Sequence, residues 1–423
     1  MIDLLQQDKS NIWHPFTALE GADEPLLITA ANGIYLHTHD GRKIIDGISS
    51  WWVNLHGHSN AAIAKAVSEQ ATRLEHVIFA GFTHEPAITL ANNLLSILPG
   101  DQSKIFFSDN GSTAVEVALK MALQYWYNRN EVRKKVVAFK GAYHGDTFGS
   151  MSVGERGLFT KPFFPFLFDV DFIEFPTEEN EAEVAAEFIS IVDQGNVACF
   201  IFEPLIQAAG GMRTYSPSVL NNLIDYARRE NVICIADEVF TGFGRTGRFF
   251  ASEHLDHSPD IIALSKGLTG GTLPLGVTSC SKKIVEAYRN SEFSKTFFHG
   301  HSYTANPLAC AAANASFELL VSSECRDNIL RISDKHKNFV KELKRNNNVK
   351  NPRSLGTILA FEIAVGETSY ENSIRKSIYS FFLERDILLR PLGNVIYIVP
   401  PYVITDPELD LIYDCIDAFL KSL

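Results

Sequence analysis

Between residues 60 and 280, short apolar runs take turns with longer segments of helical spacing, and this restricts the fold more than any other feature. Strand-length runs stand at 104–108, 136–139, 198–202, 232–236, 261–264 and 276–280, and helix-spaced segments fill 60–75, 86–98, 114–127, 182–192 and 219–230. Parallel strands must be joined by a crossover, usually a helix, so such alternation predicts an α/β fold. The sheet is expected to be mostly parallel, with helices on both faces. The texture changes near residue 322. A long charged helix (326–345) is followed by a polar stretch (346–354), a strand around Gly356 (355–364) and an amphipathic helix (369–385). Two strands around a turn (387–389, 395–399) and a final helix opened by Asp406-Pro407 complete the chain. Together with an N-terminal hairpin turning at Ala31-Asn32-Gly33, this α+β segment forms a smaller domain. The expected division is 1–55 as the N-terminal part of the small domain, 56–321 as the large domain, and 322–423 as the C-terminal part.

Two of these strands end in groups that can do chemistry. The run 232–236 delivers Asp237, and the run 261–264 delivers Lys266. Ligands of open α/β sheets collect at the carboxyl ends of strands. An acid and an amine brought together there are what a pyridoxal phosphate site requires: a lysine for the Schiff base, an acid for the pyridinium nitrogen. Taken alone, a lysine after a strand reads as a solvated loop residue and an aspartate there as a helix cap. The turn Asp109-Asn110-Gly111-Ser112-Thr113, between a strand and a long helix, offers free N–H groups at the positive end of a helix dipole. It would also serve as a plain cap. The loop 140–147, which contains Tyr143, His144, Asp146 and Thr147, follows a strand and is dense in groups that stack or hydrogen-bond. Trp51 and Trp52 are adjacent, so a regular strand would point them to opposite faces, and one is expected to line a site.

One literal match is set aside. Gly242-Phe243-Gly244-Arg245-Thr246-Gly247 fits a dinucleotide fingerprint, yet no helix can begin inside it before Ser258-Pro259, and Asp237-Glu238 would repel a pyrophosphate. The net charge of -12 argues against nucleic acid or an anionic membrane as the main partner. No apolar run is long enough to span a bilayer. The N-terminus lacks a basic region followed by an apolar one, so a cytoplasmic protein is expected. The six cysteines are scattered without zinc-ligand spacing, so no metal is expected, and Cys199 and Cys234 read as buried thiols.

These residues together resemble the class III pyridoxal-phosphate aminotransferases of fold type I. The markers run through the chain in order: Trp13-His14-Pro15-Phe16-Thr17, Ser49-Ser50-Trp51-Trp52, Ser108-Asp109-Asn110-Gly111-Ser112, Tyr143-His144-Gly145-Asp146-Thr147, Asp237-Glu238, Ser265-Lys266-Gly267, Phe298-His299-Gly300 and Arg390-Pro391-Leu392-Gly393. The resemblance implies a large domain with a mostly parallel sheet plus a smaller α+β domain. It implies pyridoxal 5'-phosphate as cofactor, with Lys266 as the Schiff-base lysine and Asp237 at the ring nitrogen. Gly111 and Ser112 would hold the phosphate, and Tyr143 would stack on the ring. His301 and Ser302 would reach the phosphate of a neighbouring subunit's cofactor, which implies a homodimer with shared sites. Phe16, Trp51, Trp52, Tyr143, Gly300 and Arg390 would meet the substrates, with Arg390 taking a carboxylate; Arg245 and Asp146 would support the site. The branch of the class it most resembles acts in biotin synthesis, which implies amination of 8-amino-7-oxononanoate with S-adenosylmethionine as donor. Phe16 stands where adenosylmethionine-using members carry Tyr, so lysine remains an alternative donor. Another ω-amino-acid transamination remains an alternative reaction. Ser302 replaces the usual Thr and keeps the hydroxyl.

Overall fold

Seven strands form the central sheet of the computed structural model, which describes residues 4–423. Residues 1–3, where the N-terminal segment and its leader reading begin, lie outside the described residues. Across the sheet the strands are Gln102–Ser108, Gly276–Ser281, Ile261–Leu264, Ile233–Asp237, Val197–Phe202, Lys135–Phe139 and Asp171–Ile173. The last five pair in parallel, as the alternation requires. Gly276–Ser281 runs against both of its neighbours. Alternate residues of one strand feed opposite layers. Ile233 and Ile235 pack with Val115 and Trp126 of the helix Gly111–Asn128. Cys234 and Ala236 pack with Phe188 and Ile224 of the helices Glu181–Val192 and Pro217–Arg229. Burial on both faces explains why these strands read as unbroken apolar runs.

The register levels the strand ends. Ala236 lies opposite Phe202, and Asp237 lies opposite Ala263. Glu203, Asp237 and Lys266 therefore leave the sheet on the same edge.

The N- and C-terminal segments meet in a second sheet. Ile28–Asn32, Tyr35–Thr38 and Lys43–Asp46 form an antiparallel meander, and Ile387–Leu388 joins it in parallel through Ile387 opposite Ile45. A third sheet contains Val349–Leu355, Ile358–Ile363 and Val395–Ile398. Three expectations need correction here. The strand expected at 355–364 around Gly356 is Ile358–Ile363, and the stretch 346–354, read only as polar, is largely an edge strand hairpinned onto it across Gly356. Pro352 and a register shift between Lys350 and Arg353 broke the alternation that would have revealed it. The runs at 387–389 and 395–399 do not pair around a turn; each enters a different sheet, with an isolated bridge between Leu392 and Val395 in the segment after the first run. The helix expected at 369–385 is shorter, Ile374–Leu383. All six cysteines are free and buried. Among the described residues no helix is long and apolar enough to cross a membrane.

Candidate active site

At the carboxyl edge of the central sheet lies a cavity of about 620 Å3. Lys266, two residues past the end of the Ile261–Leu264 strand, extends into it. Its φ of +47° is the left-handed region that residues with a Cβ avoid, a form of strain concentrated at functional sites. The amine lies 4.7 Å from the Trp52 ring centroid and 5.7 Å from that of Phe240. Those two rings meet edge to face at 4.9 Å. Withdrawal from water lowers the amine's pKa to about 8; the carboxylates of Asp237 and Glu203 pull it upward, and Arg245 pushes it further down.

Asp237 ends its strand with both carboxylate oxygens engaged. Oδ1 accepts from the Val239 amide at 3.0 Å, and Oδ2 accepts from His144 Nδ1 at 2.7 Å. Both side chains are buried, and His144 Nε2 has no partner. Beside them, Glu203 is only 6% exposed and accepts from the amides of Tyr143 and Ala208. Burial raises its pKa to about 7; His144 opposes the rise and Asp237 adds to it. The Tyr143 phenol donates to Asp146 at 3.0 Å, and burial together with that carboxylate keeps it protonated.

The opposite wall is the start of the helix Gly111–Asn128. Asn110 caps it in a reciprocal box with Thr113. A Cβ on Gly111 would come within 2.7 Å of Val239, so the backbone approaches closely there. Ser112 Oγ accepts from the Asp146 amide at 3.1 Å, and Gly145, at φ +127°, leaves room for that hydroxyl. Glu116, one turn on, accepts from Thr147 and from the Gly149 and Ser150 amides, tying the Tyr143–Thr147 loop to this helix. The cradle suits an anion, and the Lys266–Asp237 pair suits an electron-withdrawing ring.

Of the residues singled out from sequence, Lys266, Asp237, Gly111, Ser112, Tyr143 and Trp52 line this one cavity. Phe16, Trp51 and Arg390 do not line it. Phe16 is 53% exposed and meets Trp51 edge to face at 5.6 Å, while the Arg390 guanidinium lies 5.0 Å from the Trp51 ring centroid. Gly300, His301 and Ser302 also lie outside the cavity of their own chain. Glu203 escaped the sequence reading, although it satisfies the same strand-end rule that found Asp237. The segment Thr269–Leu275, which supplies six further lining residues, carried no signal beyond its glycines. Rather than opening a helix, the glycine-rich run 242–247 forms turns. These turns bury Arg245 against the carbonyls of Trp52, Asn54 and Pro400. Among the described residues no group of three or more His, Cys, Asp or Glu is placed to hold a metal ion.

The family model of the class-III aminotransferases matches residues 17–420. Adenosylmethionine-8-amino-7-oxononanoate aminotransferase of Synechococcus elongatus is 48% identical over 98% of this chain and 99% of its own length. The protein of the same name from Helicobacter pylori is 37% identical over 96% and 95%. Among solved structures, the Methanocaldococcus jannaschii protein of that name superposes with a TM-score of 0.94 at 36% identity, covering 99% of this chain and 98% of the other. An amine transaminase from an uncultivated Pseudomonas species, solved in its PLP-bound form, gives 0.90 at 28% identity, with 97% and 98% covered.

Proposed function

The chain belongs to the class-III aminotransferases, and on that premise we propose that it converts 8-amino-7-oxononanoate to 7,8-diaminononanoate in biotin synthesis. It is a pyridoxal-phosphate-dependent transaminase. The observation that carries the choice of reaction is the 48% identity, maintained over nearly the full length of both chains, to a relative named for that substrate.

Residues of the cavity fit the cofactor. The bare helix start at Gly111 and Ser112 would take its phosphate, Asp237 its ring nitrogen, Tyr143 the face of its ring, and Lys266 its aldehyde carbon. Bound there, pyridoxal phosphate supplies an electron sink that stabilises negative charge on the carbon losing or gaining the amino group. Asp237 would hold a proton on the ring nitrogen, and His144, donating to Oδ2, keeps the carboxylate pointed. With its pKa near 8, a useful fraction of the Lys266 amine is neutral at neutral pH. It can therefore accept a proton from the donor's α-carbon and return one in the second half-reaction. Trp52 and Phe240 shield that amine from bulk water. Arg390 would take the substrate carboxylate at the mouth, beside Trp51 and Phe16.

The assembly belonging to this reading is a homodimer. His301 and Ser302 lie outside their own chain's cavity, and the exposed aromatics Phe298 and Tyr303 flank them. The donor is S-adenosylmethionine, after the names of the relatives; Phe16, with no hydroxyl, is the feature that favours lysine instead. Both questions meet in one assay: oxononanoate amination by the cofactor-loaded protein, with each donor offered separately. Formation of diaminononanoate with adenosylmethionine supports the proposal. Turnover with lysine alone transfers the reaction to the second donor, and activity on general ω-amines without oxononanoate turnover refutes the substrate assignment.

A further inference from the structure

The turn that carries the two tryptophans is strained. Ser49, Ser50 and Trp52 have φ of +53°, +62° and +67°, and Ser50 combines this with ψ of -65°. Residues with a Cβ persist in such conformations only where their surroundings over-determine them. Glycine would relieve all three positions, yet the chain places Ser-Ser-Trp-Trp there.

The over-determining group is Asp46. Its carboxylate is fully buried at the end of the Lys43–Asp46 strand. Oδ1 accepts from the Ile48 amide at 3.1 Å. Oδ2 accepts from the Ser50 amide at 2.6 Å, from Ser50 Oγ at 3.1 Å and from His58 Nε2 at 2.9 Å. Since a carboxylate only accepts, His58 carries its proton on Nε2, and its Nδ1 accepts from Asn54 Nδ2 at 3.2 Å. One buried group therefore ties together the strand, the turn and the chain beyond it. Ser49 Oγ adds a strut to the Val399 carbonyl at 2.7 Å. What the turn delivers is the cavity wall: Trp52 4.7 Å from the Lys266 amine, and Trp51 outward beneath Arg390.

We propose that Asp46, held by His58, is a positioning residue for substrate binding: it fixes the strained turn that sets Trp52 against Lys266 and Trp51 beneath Arg390. This rests on reading the cavity as the transaminase site. Asp46 touches neither cofactor nor substrate, so its effect passes entirely through the two tryptophans.

The test uses the cofactor-loaded full chain and Asp46→Asn. Asparagine keeps the shape and an acceptor for Ile48, but its amide nitrogen faces the Ser50 and His58 donors. KM for both amino-group substrates is expected to rise at least about tenfold, with kcat within about threefold. Cofactor affinity should stay within about twofold, because Gly111, Ser112 and Asp237 are untouched. The near-UV circular dichroism of the tryptophans should change. His58→Ala removes one of four donors and should shift KM the same way, by about threefold; it decides the matter if Asp46→Asn does not fold. Unchanged KM and near-UV spectrum overturn the proposal. So does a loss shared equally by cofactor affinity and kcat, which a general folding role would produce. Should wild-type protein bind cofactor yet fail to aminate oxononanoate, the functional reading falls. The tryptophan spectrum, with KM for any amine it does accept, still judges Asp46.

Discussion

Glu203→Gln should invert the stability order of mutant and wild type between acid and alkaline pH. The Glu203 carboxyl has an ordinary value of 4.5 and sits near 7 in the fold, chiefly because burial disfavours its charge. Below about pH 4.5 the group is protonated whether the chain is folded or not, and it adds no pH dependence. Between 4.5 and 7 the unfolded chain releases the proton while the folded one keeps it, so stability falls as pH rises. Above about 7 both states are ionised and the loss is complete. At about 1.4 kcal/mol per pH unit, that interval corresponds to about 3 kcal/mol. Glutamine has no proton to lose, but it offers one oxygen to two donors, the amides of Tyr143 and Ala208. That costs about 1–2 kcal/mol at every pH. Because about 0.7 kcal/mol of that loss has already occurred by pH 5, the mutant is expected to be up to about 1 kcal/mol less stable than wild type there and about 1–2 kcal/mol more stable near pH 8. Urea unfolding of both cofactor-saturated proteins from pH 5 to 8.5 measures the difference, and effects common to both cancel. A difference that stays flat over this range would mean that Glu203 titrates normally in the fold, and the argument would be wrong.

Two further outcomes follow from the site. Lys266→Ala should abolish the absorbance of lysine-bound cofactor and lower turnover by at least about a thousandfold, since the proton-transferring amine is gone; spectra and single-turnover kinetics check both. Arg390→Ala should raise KM for oxononanoate by about 10–100-fold with little change in kcat, the value of a charge-assisted carboxylate contact. An unchanged KM in steady-state kinetics would remove Arg390 from substrate binding.

Strand ends were the most legible feature of this chain. A strand buried on both faces must be apolar throughout, so Asp237 and Lys266 stood out as the first charged groups after such runs, and the sheet edge gave them a common address. Glu203 met the same rule, but the Glu203-Pro204 sequence looked like an ordinary strand stop, and nothing in it signals a shifted pKa. That shift comes chiefly from burial, with a further push from Asp237, 34 residues away in the chain, and a partial offset from His144, 59 residues away.

The sequence by itself determined the α/β alternation, the turn at 109–113 before a long helix, and the presence of an acid and a lysine where two strands stop, because periodicity and residue chemistry are local properties. Tertiary structure decided the rest. It paired His144 with Asp237, turned the polar stretch before Gly356 into an edge strand, and sent the strands at 387–388 and 395–398 to different sheets. It also chose which tryptophan faces Lys266, because the strained turn that carries both is tied through Ser50 to the buried Asp46 carboxylate and through Ser49 to the Val399 carbonyl.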